Sequence, residues 1–206
     1  MDQEHVVELA NSVAPDLGSQ IEFLLEIDKL KNVIRRSKIT DGSRLENTAE
    51  HSWHLAMLAI VLAPHAASDV DICRALKLLL VHDLVEIDAG DTFAYDVAGH
   101  EDKVEREQQA ADRIFAILPP QQRDEIRSLW DEYEARETPT AVFAYACDRL
   151  EPMLLNASNG GGAWKEHGVK ESQVRAYNGP IEDASDPLWA LADRIINSGV
   201  AIGALS

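Results

Sequence analysis

The sequence predicts an all-α fold, and three observations lead to that prediction. Apolar residues recur three and four positions apart along most of the 206 residues, which is the spacing of one helix face. No segment alternates apolar and polar residues over the length of a strand, and no internal repeat is visible. Proline, glycine and helix-capping residues divide the chain into segments of ordinary helical length. The hydrophobic share of 46% is enough to build a core and excludes general disorder.

Four helices are predicted before Gly90. The third is expected to begin at its N-cap, Thr48, after a polar connector over residues 43–47, and Pro64 stops it. Ser68 is the expected N-cap of the fourth, and the glycine ends it. The predicted helices cover residues 4–13, 19 to about 35, 48 to about 62, and 68 to 89.

The second half of the chain begins with a long loop, GDTFAYDVAG, and continues as helices. A charged fifth helix becomes apolar at residues 114–118 before Pro119 and Pro120 end it, and Pro152 is expected to kink or end the seventh. A flexible break is expected over residues 159–162. The predicted helices cover residues 100–118, 124–135, 138–148, 170–177 and 188–200. Together these elements predict one domain over residues 1–206, with a core over about 20–160 and C-terminal helices over 165–206 packed on it.

The composition excludes several classes of function. A formal net charge of −17 opposes binding to a polynucleotide, because such affinity comes largely from lysines and arginines that replace counterions at phosphates. The only cysteines, Cys73 and Cys147, fit neither a disulfide framework nor a zinc-thiolate motif, and indicate a reducing compartment. No apolar segment approaches the roughly 20 residues of a membrane helix, and the segment MDQEHVVELA lacks the pattern of a secretory signal. We therefore expect a soluble cytoplasmic protein that binds neither membrane nor polynucleotide.

The most informative feature is a His-Asp pair, His82 and Asp83, on the strongly apolar fourth helix. Glu86 follows one turn later. A helix this apolar directs ionisable side chains toward the interior only where something offsets their loss of hydration, and a bound cation is the simplest candidate. The pair is interpreted as half of a metal site.

Two further residues complete the proposed site. His51 lies on the apolar stripe of the third helix, and Asp148 lies on the apolar seventh helix. With His82 and Asp83 they form a mixed nitrogen and oxygen set that suits a divalent first-row metal. Taken singly, each of these two residues has a simpler interpretation: a buried histidine is more often hydrogen-bonded structure, and the aspartate could pair with Arg149. The order and context of the four residues favour the metal site.

At this point the chain resembles the HD-domain metal-dependent phosphohydrolases, whose ligand pattern is H…HD…D. The segments RLENTAEHS and VHDLVEIDAGD are similar to the R-x-E-N-x-x-E-H-S and H-D-x-x-E-x-x-x-G-D stretches of the HD-domain 5'-deoxynucleotidases. The resemblance covers roughly residues 20–160. It implies an HD-domain helical bundle, a homodimer, and hydrolysis of (deoxy)nucleoside 5'-monophosphates to nucleoside and phosphate. It also implies one divalent metal ion, with Co, Mn, Mg, Zn, Fe and Ni as candidates.

The resemblance assigns roles to three further residues. Glu86 matches the glutamate that performs acid–base chemistry, and one helical turn from the His-Asp pair it can reach water near the metal. Asp91 matches an aspartate near the sugar that is linked to preference for a 2'-deoxy substrate and shares the proton chemistry. Arg44 matches the arginine before the first ligand. These residues are the predicted catalytic and substrate-binding positions.

Arg35 and Arg36 are predicted to bind the phosphate, because the guanidinium group suits bidentate contact with phosphate oxygens. The nucleotidases carry an Arg-Trp pair in this region, whereas this chain reads RRSK without a tryptophan. That departure leaves the manner of base binding open.

Two alternative functions are compatible with the same residues. An HD phosphohydrolase of this kind could act on a nucleoside triphosphate or a phosphodiester, and analysis of the released products would identify this. A non-catalytic HD protein would bind a nucleotide without metal-stimulated release of phosphate. The presence of all four ligand types and of Glu86 favours an enzyme.

Overall fold

The computed structural model describes residues 2–206, and it confirms the all-α class. Helices make up almost all of the regular structure, and one small two-stranded sheet interrupts them. The helices are α1 (Gln3–Val13), α2 (Leu17–Ile27), α3 (Thr48–Leu62), α4 (Ile72–Val81), α5 (Glu86–Ala89), α6 (Lys103–Phe115), α7 (Pro120–Ala135), α8 (Pro139–Ser158), α9 (Gly162–Glu166), α10 (Glu171–Asn178), α11 (Ile181–Ala184) and α12 (Asp186–Ala201).

Helix α8 is the centre of the core. It packs against α3, α4, α7, α11 and α12, and residues from several of its faces, such as Phe143, Cys147 and Leu150, are fully buried. A helix surrounded by others must be apolar on most sides, which explains its composition. Asp148 on this helix is therefore held in a rigid position. Although α8 has 20 residues, within residues 2–206 no helix combines the length and the apolar character that crossing a bilayer requires.

The prediction of a long second helix and of no sheet is wrong. Helix α2 ends at Ile27, a 3-10 turn follows over Asp28–Asn32, and the chain then extends as β1 (Ile34–Lys38). This strand pairs in antiparallel register with β2 (Leu45–Asn47), with an irregularity between the paired ends. Apolar residues at helical spacing do not exclude an extended segment when a partner strand from later in the chain supplies its hydrogen bonds. The sheet brings Arg35 to the metal-ligand set.

The fourth predicted helix is also shorter than expected. Its N-cap is Asp71 rather than Ser68, because the Asp71 carboxylate accepts the backbone N–H of Arg74. At its other end the helix tightens into a 3-10 turn over His82–Val85, continues as α5, and stops at Gly90 with φ +75°. The predicted single helix is thus three segments, and tightening of this kind often marks a functional position.

The start of α3 differs from the prediction by one residue. Asn47, not Thr48, is the N-cap, and it forms a capping box with Glu50. Because Thr48 is not used for capping, its hydroxyl is free to donate to Oε2 of Glu86 at 3.0 Å.

Pro152 does not end α8, which continues to Ser158. The lost backbone donor is tolerated because packing of the surrounding side chains, among them Leu150 and Met153, holds the helix. Helices α9 and α11 were not expected from the sequence. Both are so short that sequence periodicity cannot reveal them.

The break after α8 is a tight turn of three glycines with positive φ, and a side chain at Gly161 would make the closest contact. Gly161 has φ +106°, and a Cβ placed there would lie 2.3 Å from Cβ of Ala204. Gly160 has φ +60°, but no atom of the described residues lies within 4 Å of its would-be Cβ. We expect Gly161→Ala to lower the free energy of unfolding by about 3 kcal/mol, and Gly160→Ala by about 1 kcal/mol. Chemical denaturation of both variants checks this, and equal losses would contradict the steric argument.

Candidate metal centre and cleft

The four side chains proposed as metal ligands converge beside one cleft. Nε2 of His51 lies 3.0 Å from Oδ1 of Asp148 and 3.9 Å from Oδ2 of Asp83. Nε2 of His82 lies 3.1 Å from Oδ1 of Asp83 and 3.8 Å from Oδ1 of Asp148. Donor atoms of His51, His82 and Asp83 all lie within 4.8 Å of one another. Residues from α3, from α8 and from the turn after α4 thus meet around a common centre.

His82 is oriented by the backbone of its own helix. Its Nδ1 lies 2.9 Å from the carbonyl oxygen of Leu79 and therefore carries a proton, so that in the neutral ring the lone pair of Nε2 is directed into the site. That Nε2 is buried and has no hydrogen-bond partner among residues 2–206. Once a metal ion displaces the proton on Nε2, this buried nitrogen beside two carboxylates has the lone pair that a metal ligand requires.

The electrostatics of the site favour a cation. Burial opposes the charge of His82, but Asp83 and Asp148 outweigh this and raise the pKa of His82 to about 10. Burial likewise opposes the charge of both carboxylates, yet His82 lowers the pKa of Asp83 to about 2, and His51 and His82 lower the pKa of Asp148. A site that keeps protons on buried imidazoles attracts positive charge, and a divalent ion competes with protons for the same lone pairs. Two imidazoles and two carboxylates therefore fit a divalent metal ion.

His51 is held from behind by two buried glutamates that sequence reasoning missed. Its Nδ1 lies 3.2 Å from Oε2 of Glu151 and 3.4 Å from Oε2 of Glu46. The other oxygen of Glu151, Oε1, lies 2.8 Å from Nδ1 of His54. A carboxylate behind a ligating histidine fixes its tautomer and directs Nε2 toward the metal. The signal in the sequence was the position of Glu151 three residues after Asp148, nearly one turn along the same helix.

The role of Glu151 in positioning the His51 imidazole can be tested by substitution. We expect Glu151→Gln to weaken metal affinity about 10- to 100-fold, because a neutral amide supports the His51 imidazole less well than a carboxylate does. Titration of the metal-free protein with Mn²⁺ in a calorimeter checks this. Glu132→Gln is the control. Glu132 lies outside the site, and its carboxylate pairs with Arg74 at a distance of 2.6 Å. An unchanged affinity in Glu151→Gln would show that this carboxylate does not support the ligand.

Glu86 lies beside the ligands on α5. Its carboxylate is buried and accepts the Thr48 hydroxyl, so its orientation is fixed. Burial, reinforced by the charge of Asp83, raises the pKa of Glu86 to about 8. A carboxyl group that titrates near neutral pH can both take up and release a proton, as acid–base catalysis requires.

Arg35 reaches the same centre from β1. One of its guanidinium nitrogens, Nη1, lies 3.1 Å from Oδ2 of Asp83, 3.6 Å from Oδ1 of Asp91 and 3.9 Å from Oε2 of Glu86. Its Nε lies 3.8 Å from Oε2 of Glu46. Burial opposes the positive charge of Arg35, but these carboxylates raise its pKa further above its ordinary value. Arg35 therefore links the proposed proton-handling residues to Asp83, one of the proposed metal ligands.

The other two arginines singled out in the sequence have different surroundings. Arg36 is exposed and lines a small cavity of about 70 Å³ together with Asp91 and Asp148. Arg44 forms two hydrogen bonds of 2.8 Å with Glu50 and is half exposed. It lines a separate cleft that contains none of the four proposed ligands. The structure thus brings Arg35 and Arg36, but not Arg44, to the metal centre.

The cleft beside the ligands has a volume of about 310 Å³ and connects to the smaller cavity. His82, Asp83 and Asp148 line the cleft, and tyrosines form part of its wall. Tyr133 donates its hydroxyl to Oδ2 of Asp148 at 3.1 Å. Five residues besides Asp148 line both cavities: Arg35, Asp91, Thr92, Arg149 and Tyr177. The metal centre therefore opens onto a polar chamber large enough for a small anionic substrate to approach.

Comparisons with known proteins agree with this arrangement. A family model described as an HD domain matches residues 27–189. The human protein named 5'-deoxynucleotidase HDDC2 is 33% identical over 141 residues, which are 68% of this chain and 67% of the human one. A 5'-deoxynucleotidase of Schizosaccharomyces pombe is 29% identical over 138 residues, which cover 65% of this chain and 68% of the yeast protein. The alignments thus span about two thirds of these relatives.

Solved structures extend the similarity to nearly the whole chain. A crystal structure from Magnetospirillum magnetotacticum, described as a predicted metal-dependent phosphohydrolase, is 49% identical and superposes with a TM-score of 0.88. It covers 93% of this chain and 96% of the other. A conserved hypothetical protein from Pyrococcus furiosus is 22% identical with a TM-score of 0.61 over 85% of this chain, and this likeness concerns the fold alone.

Proposed function

The chain belongs to the HD domain family, and from that premise we propose that it is a metal-dependent phosphohydrolase that converts (deoxy)nucleoside 5'-monophosphates to nucleoside and phosphate. One observation carries the proposal: two imidazoles and two carboxylates from three parts of the chain converge beside a cleft, with the buried Glu86 next to them. The names of the relatives support the substrate class.

The proposed ligands of one divalent ion are His51, His82, Asp83 and Asp148. Bound there, the ion supplies an electrophile that polarises a phosphate oxygen and lowers the pKa of water. The hydrogen bond from His82 to the Leu79 carbonyl and the Glu151 carboxylate 3.2 Å from Nδ1 of His51 support this assignment, because ordered ligands lose little freedom when they bind metal. The candidates for the ion are Co, Mn, Mg, Zn, Fe and Ni, since a mixed nitrogen and oxygen set accepts many divalent metals.

Proton transfer is assigned to Glu86 and Asp91. Thr48 orients Glu86 through its hydroxyl, and the raised pKa of Glu86 suits a group that gives or takes a proton near pH 7. Asp91 lines both cavities and lies 3.6 Å from Arg35. We propose that it also meets the sugar of the substrate. Arg35 keeps these acidic groups in place and faces the phosphate, while Arg36 lies at the rim of the smaller cavity.

The remaining assignments concern partners and location. The net charge of −17 supports a small nucleotide rather than a polynucleotide as the substrate. A homodimer and a cytoplasmic location stay predictions from the sequence and the family resemblance. Size-exclusion chromatography with light scattering measures the first directly.

Phosphate release tests the proposed function. The purified protein is stripped with a chelator, reloaded separately with Co²⁺, Mn²⁺ and Mg²⁺, and incubated with a panel of ribo- and deoxynucleoside 5'-monophosphates. We expect no release from the stripped protein, restored release after reloading, and faster turnover of the deoxynucleotides. Absence of metal-stimulated release from every monophosphate would overturn the proposal.

The same assay separates the two alternatives. With dATP as substrate, release of pyrophosphate or triphosphate in place of phosphate would favour a triphosphohydrolase. Cleavage of bis-p-nitrophenyl phosphate, with no action on monophosphates, would favour a phosphodiesterase. Calorimetric binding of a monophosphate without turnover under any metal would favour a binding protein.

A further inference from the structure

Arg149 is a second largely buried guanidinium beside the candidate metal centre, and no role in the proposed function is assigned to it. It follows the proposed ligand Asp148 on α8, and its side chain is only 12% exposed. Its Nε is buried and has no hydrogen-bond partner within residues 2–206, and the nearest carboxylate oxygen, Oδ2 of Asp148, lies 4.0 Å away. An unpartnered buried cation is costly unless a ligand completes it.

Two tyrosine rings hold this guanidinium. Its central carbon lies 4.3 Å from the ring centroid of Tyr145 and 3.9 Å from that of Tyr177. Stacking uses the faces of the guanidinium, whereas its N–H donors lie in its plane. The tyrosines therefore compensate part of the cost of burial while they leave the donors available. Arg149 and Tyr177 line both the cleft and the adjoining cavity, so a ligand in either space can reach them.

Arg35, the other largely buried arginine of the site, also has a buried Nε without a hydrogen-bond partner in the described part of the chain, but its carboxylate neighbours are more numerous. Carboxylate oxygens of four residues lie within 4 Å of its guanidinium, so its charge is already shared among groups of the protein. A phosphate that approaches Arg35 competes with those carboxylates. Arg149 has one such neighbour, the Asp148 carboxylate, whose Oδ2 lies 4.0 Å from Nε of Arg149.

The other cations that line the cleft are less available to a phosphate than Arg149. Asp83, Asp91 and Asp148 line the cleft, and their negative charge repels a phosphate dianion. Lys103, on another part of the lining, pairs with Glu107 at 3.0 Å, and Arg136 stacks on the ring of Tyr145. A cation with free donors in the same wall lowers the barrier to entry of an anion.

We propose that Arg149 binds the phosphate group of the substrate through charge-assisted hydrogen bonds from its in-plane donors. This rests on the proposed function and deepens it, because it names the residue that recognises the anionic part of the nucleotide. Tyr145 and Tyr177 are positioning residues that keep the guanidinium edge directed into the cleft.

The test uses Arg149→Gln and Arg149→Lys in the full-length, Mn²⁺-loaded protein. Loss of a charge-assisted hydrogen bond to a phosphate corresponds to about a 10- to 100-fold loss in affinity. We expect this loss for inorganic phosphate, measured by calorimetry, and a similar rise in KM for deoxyadenosine 5'-monophosphate in the Gln variant. The Lys variant keeps the charge but not the planar fork, so a smaller loss is expected. Inhibition by deoxyadenosine, which has no phosphate, should not change in either variant.

Arg123→Gln serves as the control, because Arg123 is exposed and pairs with its neighbour Asp124. Unchanged phosphate affinity and KM in Arg149→Gln would overturn the inference, and so would an equal loss of deoxyadenosine binding, which would indicate a contact with the base. Thermal unfolding verifies that each variant folds. If Arg149→Gln does not fold, the phosphate affinity and KM of Arg149→Lys decide whether Arg149 binds the phosphate. Failure of the wild-type protein to release phosphate would refute the proposed function, whereas the calorimetric result for inorganic phosphate still tests Arg149.

Discussion

Asp83→Ala is expected to remove metal binding and turnover together. The side chain supplies one of two proposed carboxylate ligands, and its oxygens lie 3.1 Å from His82 and 3.9 Å from His51. Loss of a supporting group behind a ligand already costs about 10- to 100-fold in metal affinity, so loss of a ligand should exceed about 100-fold. Because a bound ion contributes several kcal/mol of transition-state stabilisation, kcat/KM should fall by more than about 1,000-fold.

Two measurements check this prediction: the metal content after stripping and reloading, by mass spectrometry, and phosphate release from deoxyadenosine 5'-monophosphate. The variant should fold, because Arg35 retains Glu86, Asp91 and Glu46 as partners. Asp88→Ala is the matched control, since Asp88 lies on α5, pairs with Arg113 and lines none of the cavities described above. A variant at position 83 that kept its metal and its activity would refute the ligand assignment.

Glu86→Gln is expected to slow turnover while the metal stays bound. The amide keeps the shape of the side chain and can still accept the Thr48 hydroxyl, but it cannot exchange a proton. Loss of a general acid or base lowers kcat by about 100- to 10,000-fold. Since Glu86 is not among the proposed ligands, metal content and the affinity for inorganic phosphate should change little.

The contrast between the two variants is the informative result. If Glu86→Gln lost its metal as completely as Asp83→Ala, then Glu86 would be a ligand rather than a proton-transfer group. If it retained full kcat, Asp91 or solvent would carry the proton. Glu132→Gln again reports the effect of replacing a partly buried, paired glutamate outside the site.

Two of the proposed metal ligands could be recognised in the sequence because they are ionisable residues beside an apolar run. His82 and Asp83 directly follow the apolar run of residues 78–81, and burial of ionisable groups without a compensating ligand is so unfavourable that their presence there is itself a signal. Arg44 shows the limit of this reasoning. It precedes His51 in the same recognisable segment, yet its guanidinium pairs with Glu50 outside the cleft. Proximity along the chain did not decide which residues meet.

The sheet was missed because its hydrogen bonds are not local. The segment that becomes β1 contains one apolar residue, Ile34, whose position continues the helical spacing of the residues before it, and pairing with β2 supplies hydrogen-bond partners that this spacing does not reveal. That pairing determines where Arg35 lies. The position of this guanidinium among four carboxylates therefore could not be read from the spacing of residues.

The helical class, His82 and Asp83 could be read from the sequence because helical periodicity and the cost of burying charge are local properties of a segment, and the resemblance to the HD-domain phosphohydrolases added His51, Asp148 and the role of Glu86. The surroundings of these residues became known from the fold: the glutamates behind His51, the carboxylates around Arg35, and the tyrosines that hold Arg149. Some of these contacts join residues far apart in the chain, as between His51 and Glu151 and between Arg149 and Tyr177. Their distances follow from the packing of helices against α8, which no single segment encodes.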